Sequence, residues 1–153
     1  MTIRQGTTAD HNALLLVWLA SVRATHTFLT ESDIQSLTPV VRDEALPALE
    51  IWVLCADDQP VGFAGLAGNN LEALFIHPDH TGKGGGKLLV EHARRLKGPL
   101  VVDVNEQNPS ALAFYESQGF RVIGRSERDS GGRPFPILHM AEPSAGESPS
   151  PGS

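Results

Sequence analysis

The stretch Thr81-Gly82-Lys83-Gly84-Gly85-Gly86-Lys87 stands between residues 71–76, a run typical of a β-strand, and residues 88–96, a run typical of a helix. A helix that begins directly after a glycine-rich turn presents unpaired backbone N–H groups, and its dipole favours negative charge at that end. Glycine also lets the backbone approach an anion closely, because it has no Cβ. The stretch therefore predicts a pyrophosphate site, and a plain flexible turn is the alternative.

Two common phosphate loops are excluded by the spacing. A Walker A loop needs Gly, four residues and then Gly-Lys-Ser/Thr. Here Thr81 stands five residues before Gly86, and Leu88 occupies the Ser/Thr position. A dinucleotide fingerprint needs Gly-x-Gly-x-x-Gly, but Leu89 stands where the third glycine would follow Gly84 and Gly86. The pyrophosphate must therefore belong to another class of ligand.

Composition narrows the class of protein. The chain has 153 residues, a net charge of -6 and a pI of about 5.4, which fits one domain and argues against a general nucleic-acid binder. No apolar stretch approaches the roughly 20 residues needed to cross a bilayer, and the N-terminus lacks a signal-like apolar region. Cys55 is the single cysteine, so an internal disulfide is impossible. These features predict a cytoplasmic protein without a membrane or nucleic-acid partner, either a monomer or a homodimer.

The order of predicted elements indicates an α+β fold. A mixed central sheet of about seven strands is flanked by about four helices, and Pro39 should break or kink the second helix. The predicted strands cover residues 3–5, 51–56, 61–66, 71–76, 100–104, 120–126 and 136–140, and the helices cover residues 8–23, 32–46, 88–96 and 109–118. Residues 1–141 are predicted to form a single domain. Residues 142–153, rich in Pro, Ser and Gly, are predicted to be a disordered tail.

Two separate motifs resemble the GNAT N-acetyltransferase superfamily. Gly84 and Gly86 match its acyl-CoA loop, usually Arg/Gln-x-x-Gly-x-Gly/Ala, although Thr81 stands where Arg or Gln is usual. Residues 105–120 resemble the superfamily's Asn-x-x-Ala-x-x-Phe-Tyr…Gly-Phe segment. Two motifs at the usual separation are more specific than either alone. The resemblance covers residues 2–141.

Within the superfamily, the chain is most similar to the bacterial YjaB-like branch. This similarity is carried by residues 72–76, 104–108 and 124–127. The resemblance implies a GNAT fold and transfer of an acetyl group from acetyl-CoA to a primary amine, either a protein lysine or a small molecule. It also implies direct attack in a ternary complex, with acetyl-CoA as cosubstrate. No metal is predicted, because His77 and His80 are a poor ligand set and no Cys or carboxylate cluster completes it.

The resemblance assigns the cofactor contacts to one strand end and the loop that follows it. The backbone of Leu74, Phe75 and Ile76 would pair with the pantetheine arm, and an N–H there would polarise the acetyl carbonyl. The pyrophosphate would be held by Gly82, Lys83, Gly84, Gly85, Gly86 and Lys87, with Lys83 or Lys87 substituting for the side chain missing at Thr81. Asn108 would contact pantetheine, although its place before Pro109 also suits a helix cap.

Three side chains are candidates for acid–base catalysis. Tyr115, the tyrosine of the Phe-Tyr pair, would protonate the departing thiolate, since a phenol with a pKa of about 10 keeps its proton at neutral pH. Core packing is the alternative. Glu72 lies in an apolar strand, where desolvation would raise its pKa and suit it to act as the base; its alternative is a solvated strand end. His26, in the loop between the first two helices, is the second candidate base, with a surface role as its alternative.

Asn105 and Glu106 follow the fifth strand and are candidates to bind the acceptor substrate.

Two rival hypotheses for the function stay open. The chain could be a cofactor-binding sensor without catalysis, or an interaction module that uses the first two helices. Turnover with amines separates the enzyme from both rivals, and binding of CoA separates the sensor from the module.

Overall fold

A computed structural model describes residues 1–129 and 131–143, which fold as a seven-stranded sheet with helices on both faces. The strands are β1 (Thr2–Gln5), β2 (Glu50–Ala56), β3 (Gln59–Ala67), β4 (Asn70–Ile76), β5 (Val101–Asn105), β6 (Arg121–Ser126) and β7 (Ile137–Ala141). The helices are α1 (His11–Thr25), α2 (Glu31–Val40), α3 (Leu46–Ala48), α4 (Gly85–Lys97) and α5 (Pro109–Ser117). Short 3-10 turns cover Thr8–Asp10 and Pro78–His80, and a π-helical turn, Val41–Ala45, joins α2 to α3.

The sheet is mixed, with the strand order β1-β2-β3-β4-β5-β7-β6. Every neighbouring pair is antiparallel except β4 and β5, which run parallel. That parallel pair is joined through α4, as parallel neighbours require a crossover. The predicted α+β fold with about seven strands is confirmed.

Each face of the sheet packs against its own helices. On one face, α4 and α5 bury a cluster that includes Leu89, Val90 and Phe120. On the other face, α1 and α2 bury a second cluster that includes Leu14 and Trp18. The sheet thus separates two layers, and any opening in it connects them.

A β-bulge in β4 produces such an opening. Leu66 of β3 pairs with Leu71, and Gly65 pairs with Ala73, so Glu72 is an extra residue without a partner in β3. Bulges bend a strand, increase its twist and end regular pairing. Accordingly, β4 pairs with β5 only through Asn70↔Val101 and Leu71↔Val102. Beyond the bulge the two strands diverge.

The bulge also interrupts the simple alternation of side chains that is usual for a strand such as β4. Simple alternation places Leu71 with Ala73 and Phe75, on the face opposite Leu74 and Ile76. Instead, Leu71 is buried in the cluster under α4 and α5, which Leu74 and Ile76 also contact, while Ala73 and Phe75 pack under α1 and α2. One extra residue reverses the facing of the strand, and no local sequence signal marks it.

The predicted break or kink at Pro39 falls slightly later, because the regular α-helix ends at Val40. The helix continues through Pro39, and the irregularity falls two residues later, in the π-helical turn Val41–Ala45. The N–H of Val41 reaches the carbonyls of both Leu37 and Thr38. Because proline removes one helical hydrogen bond, the backbone relaxes by widening the next turn.

Glu142 belongs to the packed structure, one residue past the predicted domain end. Its carboxylate pairs with the guanidinium of Arg94 and accepts a hydrogen bond from the N–H of Leu100 at 3.0 Å. The side chain is 8% exposed. The rest of the predicted tail, residues 144–153, lies outside the described residues.

Glu142→Ala should therefore destabilise the domain. It leaves Arg94 and the Leu100 N–H without their charged partner, and hydrogen bonds to charged groups contribute about 1.5–3 kcal/mol each to stability. We expect the free energy of unfolding to fall by about 1–3 kcal/mol in urea denaturation. Glu116→Ala, at an exposed position on α5, is the matched control. Equal stability of the two variants would refute the anchoring role of Glu142.

Candidate active site

The divergence of β4 and β5 opens a cleft of about 480 Å³ through the sheet. One wall is the strand β4, and the opposite wall is β5. The C-terminal end of α1 borders the cleft on one face of the sheet, and α5 borders it on the other. The predicted site residues that line it are His26, Glu72, Leu74, Phe75, Ile76, Gly82, Asn105, Asn108 and Tyr115.

The glycine loop lies at the end of β4 and starts helix α4. Gly84 is the N-cap of that helix and has a φ of 83°, a left-handed conformation that L-residues rarely adopt. A Cβ on Gly85 would lie 2.5 Å from Cδ2 of the buried Leu54, so a larger residue here would have to displace that side chain. The N–H groups of residues 85–87 belong to the first turn of α4, where helical partners are lacking. This arrangement fits a diphosphate.

The two loop lysines are exposed and do not line the cleft. Lys87 lies 4.0 Å from Glu91, one turn along α4, and is 63% exposed. Lys83 precedes the helix and is also exposed. Thr81, at the usual Arg/Gln position, lines the cleft, and its hydroxyl donates to the carbonyl of Pro78 at 3.0 Å. An anion at this helix N-terminus would therefore meet backbone amides, with the lysines outside them.

Beyond Leu71, the edge of β4 that faces the cleft has no strand partner among the described residues. Leu74, Phe75 and Ile76 line the cleft along this edge. Unpaired backbone groups on a strand edge can pair with an extended ligand as they would with another strand. This is the geometry that the pantetheine contact requires.

Tyr115 belongs to α5 and lines the cleft on the face of the sheet that α5 covers. Its ring packs against Phe114 and Phe120, with centroids 5.2 and 5.3 Å apart, and only 7% of the residue is exposed. The hydroxyl has no hydrogen-bond partner within the part of the chain that the structure describes. Burial raises the pKa of the phenol, so the group stays protonated at neutral pH. The ring of Tyr115 therefore packs in the core, while its protonated hydroxyl is available as a proton donor.

His26 caps the C-terminal end of α1 and faces the cleft. Its Nδ1 lies 2.8 Å from the Thr25 hydroxyl, and its ring contacts Phe28 and Phe75 at centroid distances of 5.4 and 6.4 Å. Burial lowers the pKa of the imidazole. A histidine in this environment is neutral near pH 7 and can accept a proton.

Glu72 lines the cleft but is exposed to solvent, so the expectation of a desolvated carboxylate is wrong. The reason is the β-bulge, which takes Glu72 out of the regular pleat. The structure instead agrees with the alternative interpretation of Glu72, a solvated carboxylate at a strand end. A carboxylate in this position can still attract a cationic amine.

Asn105 and Asn108 line the cleft at the end of β5. The Asn105 side chain accepts from the N–H of Gln107 at 2.9 Å, and Asn108 accepts from the N–H of Ala111 at 3.2 Å as the N-cap of α5. The amide nitrogen of Asn108 has no partner among the described residues, which leaves it free to donate into the cleft.

The structure does not bring Glu106 into the cleft. Its carboxylate pairs with Arg125 at 2.6 Å, and this ion pair lowers the carboxylate's pKa. The pairing forms because the turn after β5 directs residue 106 toward β6, where Arg125 lies.

A row of hydrogen bonds across β5, β7 and β6 could not be predicted from the sequence. Asp103 Oδ1 lies 2.7 Å from His139 Nδ1, and His139 Nε2 lies 2.7 Å from Ser126 Oγ. Asp103 lines the cleft, so the row fixes one carboxylate on its wall. The pairing depends on the strand order β5-β7-β6, which no local pattern reveals.

Comparison with known proteins defines the class to which this site belongs. Residues 47–122 match the model of the acetyltransferase (GNAT) domain family. The chain is 44% identical to the peptidyl-lysine N-acetyltransferase YjaB of Salmonella typhimurium, over 94% of this chain and 99% of the relative. The chain therefore belongs to the GNAT acetyltransferase family.

Solved structures agree with this assignment. The solution structure of apo-form YjaB from Escherichia coli superposes with a TM-score of 0.86 and 43% identity, covering 94% of this chain and 97% of the other. PaiA N-acetyltransferase from Thermoplasma acidophilum, solved in complex with coenzyme A, shares the fold with a TM-score of 0.74 and 22% identity, over 92% and 97% of the two chains. The chain is an acetyl-CoA-dependent N-acetyltransferase that transfers acetyl to an amine.

In residues 1–129 and 131–143, no group of three or more His, Cys, Asp or Glu side chains is arranged to hold a metal ion. None of the helices described is long and apolar enough to span a bilayer.

Proposed function

We propose that the chain acetylates the ε-amino group of lysine in proteins, by direct attack of the amine on the thioester of acetyl-CoA. The observation that carries the proposal is the cleft itself, which joins the glycine loop and Tyr115 on one face of the sheet to His26 and Glu72 on the other. The similarity to relatives named peptidyl-lysine N-acetyltransferases supports a lysine as the acceptor. The proposed location is the cytoplasm, where acetyl-CoA and protein lysines are both available.

In this proposal, the backbone performs the binding. The amides at the start of α4 hold the diphosphate, and the free edge of β4 at Leu74–Ile76 pairs with the pantetheine arm. The amide nitrogen of Asn108 donates to the same arm. A backbone N–H at the end of β4 polarises the acetyl carbonyl, which is the usual role of a preorganised donor near a developing oxyanion. Acetyl-CoA supplies the thioester.

The two proton transfers are carried out by side chains on opposite faces of the sheet, one by a base and the other by an acid. Glu72 attracts the cationic lysine, and His26, neutral because burial lowers its pKa, accepts the amine proton directly or through water. Tyr115 donates its proton to the sulfur that leaves. Because the described cleft holds no cysteine and its donors act on separate atoms, one ternary complex suffices.

The pH dependence of kcat/KM tests the role of His26. A base works when deprotonated, so activity rises with pH through its pKa, and burial places that rise below the ordinary value of about 6.5. We expect His26→Ala to remove this limb and to slow the reaction near pH 6.5 by up to about 10²-fold, with recovery at alkaline pH where free amine is abundant. Stopped assays over pH 5–10 measure both effects.

Glu72→Gln should have a different signature. The amide keeps the size of the side chain but removes the charge that attracts a cation, so KM for a lysine peptide should rise while the rising pH limb remains. His11→Ala, on α1 outside the cleft, should change neither property. An unchanged rising limb in His26→Ala would exclude His26 as the base.

A direct assay tests the proposed acceptor. Purified protein is incubated with acetyl-CoA and a lysine-containing peptide, thiol release is followed, and mass spectrometry locates the acetyl group. We expect Nε-acetyllysine as the product, and no thiol release from a peptide whose lysine is already acetylated. Binding of CoA without turnover on any amine would instead identify a cofactor-binding sensor.

A further inference from the structure

A second cavity lies beside the cleft, under the segment formed by α2, the π-helical turn and α3. Its volume is about 450 Å³, within the range of about 300–1,000 Å³ that is usual for ligand pockets. It shares three residues of β4 with the cleft, namely Glu72, Ala73 and Phe75. A molecule that enters the cleft from this face therefore has direct access to the cavity.

The lining of the cavity is apolar apart from Glu72. Trp18 of α1 and Phe63 of β3 form its floor within the buried cluster, and Leu37, Val41 and other aliphatic side chains form its roof. Val41 and Ala45 both belong to the π-helical turn, so the widened turn forms part of the roof. The charged neighbours Arg42, Asp43 and Glu44 are exposed and do not line it. Such a cavity selects a bulky apolar group.

We propose that this cavity binds a large apolar side chain next to the target lysine of the acceptor protein, an inference that rests on the proposed function. Glu72, at the boundary shared with the cleft, attracts the cationic amine. The apolar neighbour then fills the space between Trp18 and the π-helical turn. Burial of a side chain such as Phe or Leu supplies affinity through the hydrophobic effect. The cavity thus selects the sequence around the lysine, whereas the cleft performs the transfer.

Short peptides test this selectivity. Four acetylated and amidated peptides carry one lysine with Phe or Ser immediately before it or immediately after it. We expect Phe on one of the two sides to raise kcat/KM about tenfold or more over Ser, through KM, as expected when an apolar group fills a pocket. An Asp at the same position should lower kcat/KM, because it would face Glu72.

A variant that fills the cavity provides the matched test. Ala45→Phe places a ring in the roof and should cancel the advantage of the Phe peptide while leaving turnover of the Ser peptide within about twofold. Ala9→Phe makes the same change at an exposed position that lines neither cavity, and should preserve the preference. A melting curve shows whether each variant is folded. If Ala45→Phe is not, Leu37→Ala, which enlarges the cavity, should weaken the preference instead.

Calorimetry on the CoA-loaded protein measures the same preference without catalysis. If the Phe peptide binds more tightly than the Ser peptide but no amine is acetylated, the cavity assignment stands and the proposed function fails. If all four peptides are acetylated at equal rates and bind equally, the proposed function stands and the cavity assignment is overturned. Preference for a free apolar amine such as phenethylamine over every peptide would also overturn it.

Discussion

Tyr115→Phe is expected to lower kcat by about 10²–10⁴, the range typical of a lost general acid. The change removes one oxygen and keeps the ring that packs against Phe114 and Phe120. Tyr115 lines the cleft, its hydroxyl has no hydrogen-bond partner among the described residues, and burial raises the pKa of the phenol. Its proton is therefore available at any physiological pH, and its loss leaves the departing thiolate to water.

Two measurements separate this role from a structural one. Calorimetry with CoA should give nearly the same affinity for Tyr115→Phe and the unmodified protein, and thermal unfolding should change little. The unmodified enzyme should also show no decline in rate from ionisation of this phenol below about pH 10, since its pKa lies above that ordinary value. Unchanged kcat in Tyr115→Phe would remove Tyr115 from the mechanism.

Gly84→Asp is expected to weaken CoA binding by at least about 10²-fold. The aspartate adds a negative charge at the N-cap of α4, next to the amides proposed to hold the diphosphate. Hydrogen bonds to charged groups contribute about 1.5–3 kcal/mol each, and the loss of two corresponds to this factor. No side-chain clash arises, because the space around a Cβ on Gly84 is open.

Gly68→Asp is a closely matched control. Gly68 also has a positive φ, 59° against 83° for Gly84, and a Cβ there would likewise meet open space. It lies in the turn before β4, at the opposite end of that strand from the glycine loop. The two variants therefore introduce the same charge and similar backbone strain. Equal CoA affinity in both would show that the loop does not hold the diphosphate.

The features that could be predicted from the sequence are those determined by neighbouring residues, such as glycine turns and helix caps. The spaced glycines predicted a helix after the loop, and α4 begins at Gly85, three residues before the predicted start. Asn108 followed by Pro109 predicted the cap of α5, which is confirmed. The strand and helix order was likewise readable, because turns and apolar periodicity are local signals. The order of elements is enough to locate the glycine loop at the start of α4 and Tyr115 on α5.

Features that depend on pairing between distant strands were not readable. The bulge at Glu72 arises from the register of β4 against β3, and it determines both the exposure of Glu72 and the opening of the cleft. The row from Asp103 to Ser126 requires β7 to lie between β5 and β6. Each depends on tertiary context rather than on neighbouring residues.

The central claim is that backbone amides of the glycine loop hold the diphosphate of acetyl-CoA and so direct its thioester into the cleft between β4 and β5. Amide NMR of isotope-labelled protein titrated with CoA tests it most directly. We predict the largest shifts at residues 82–87 and along residues 74–76, with the amide of Gly68 unmoved as an internal reference. Saturable CoA binding that leaves the loop amides unchanged and shifts residues elsewhere would contradict the claim.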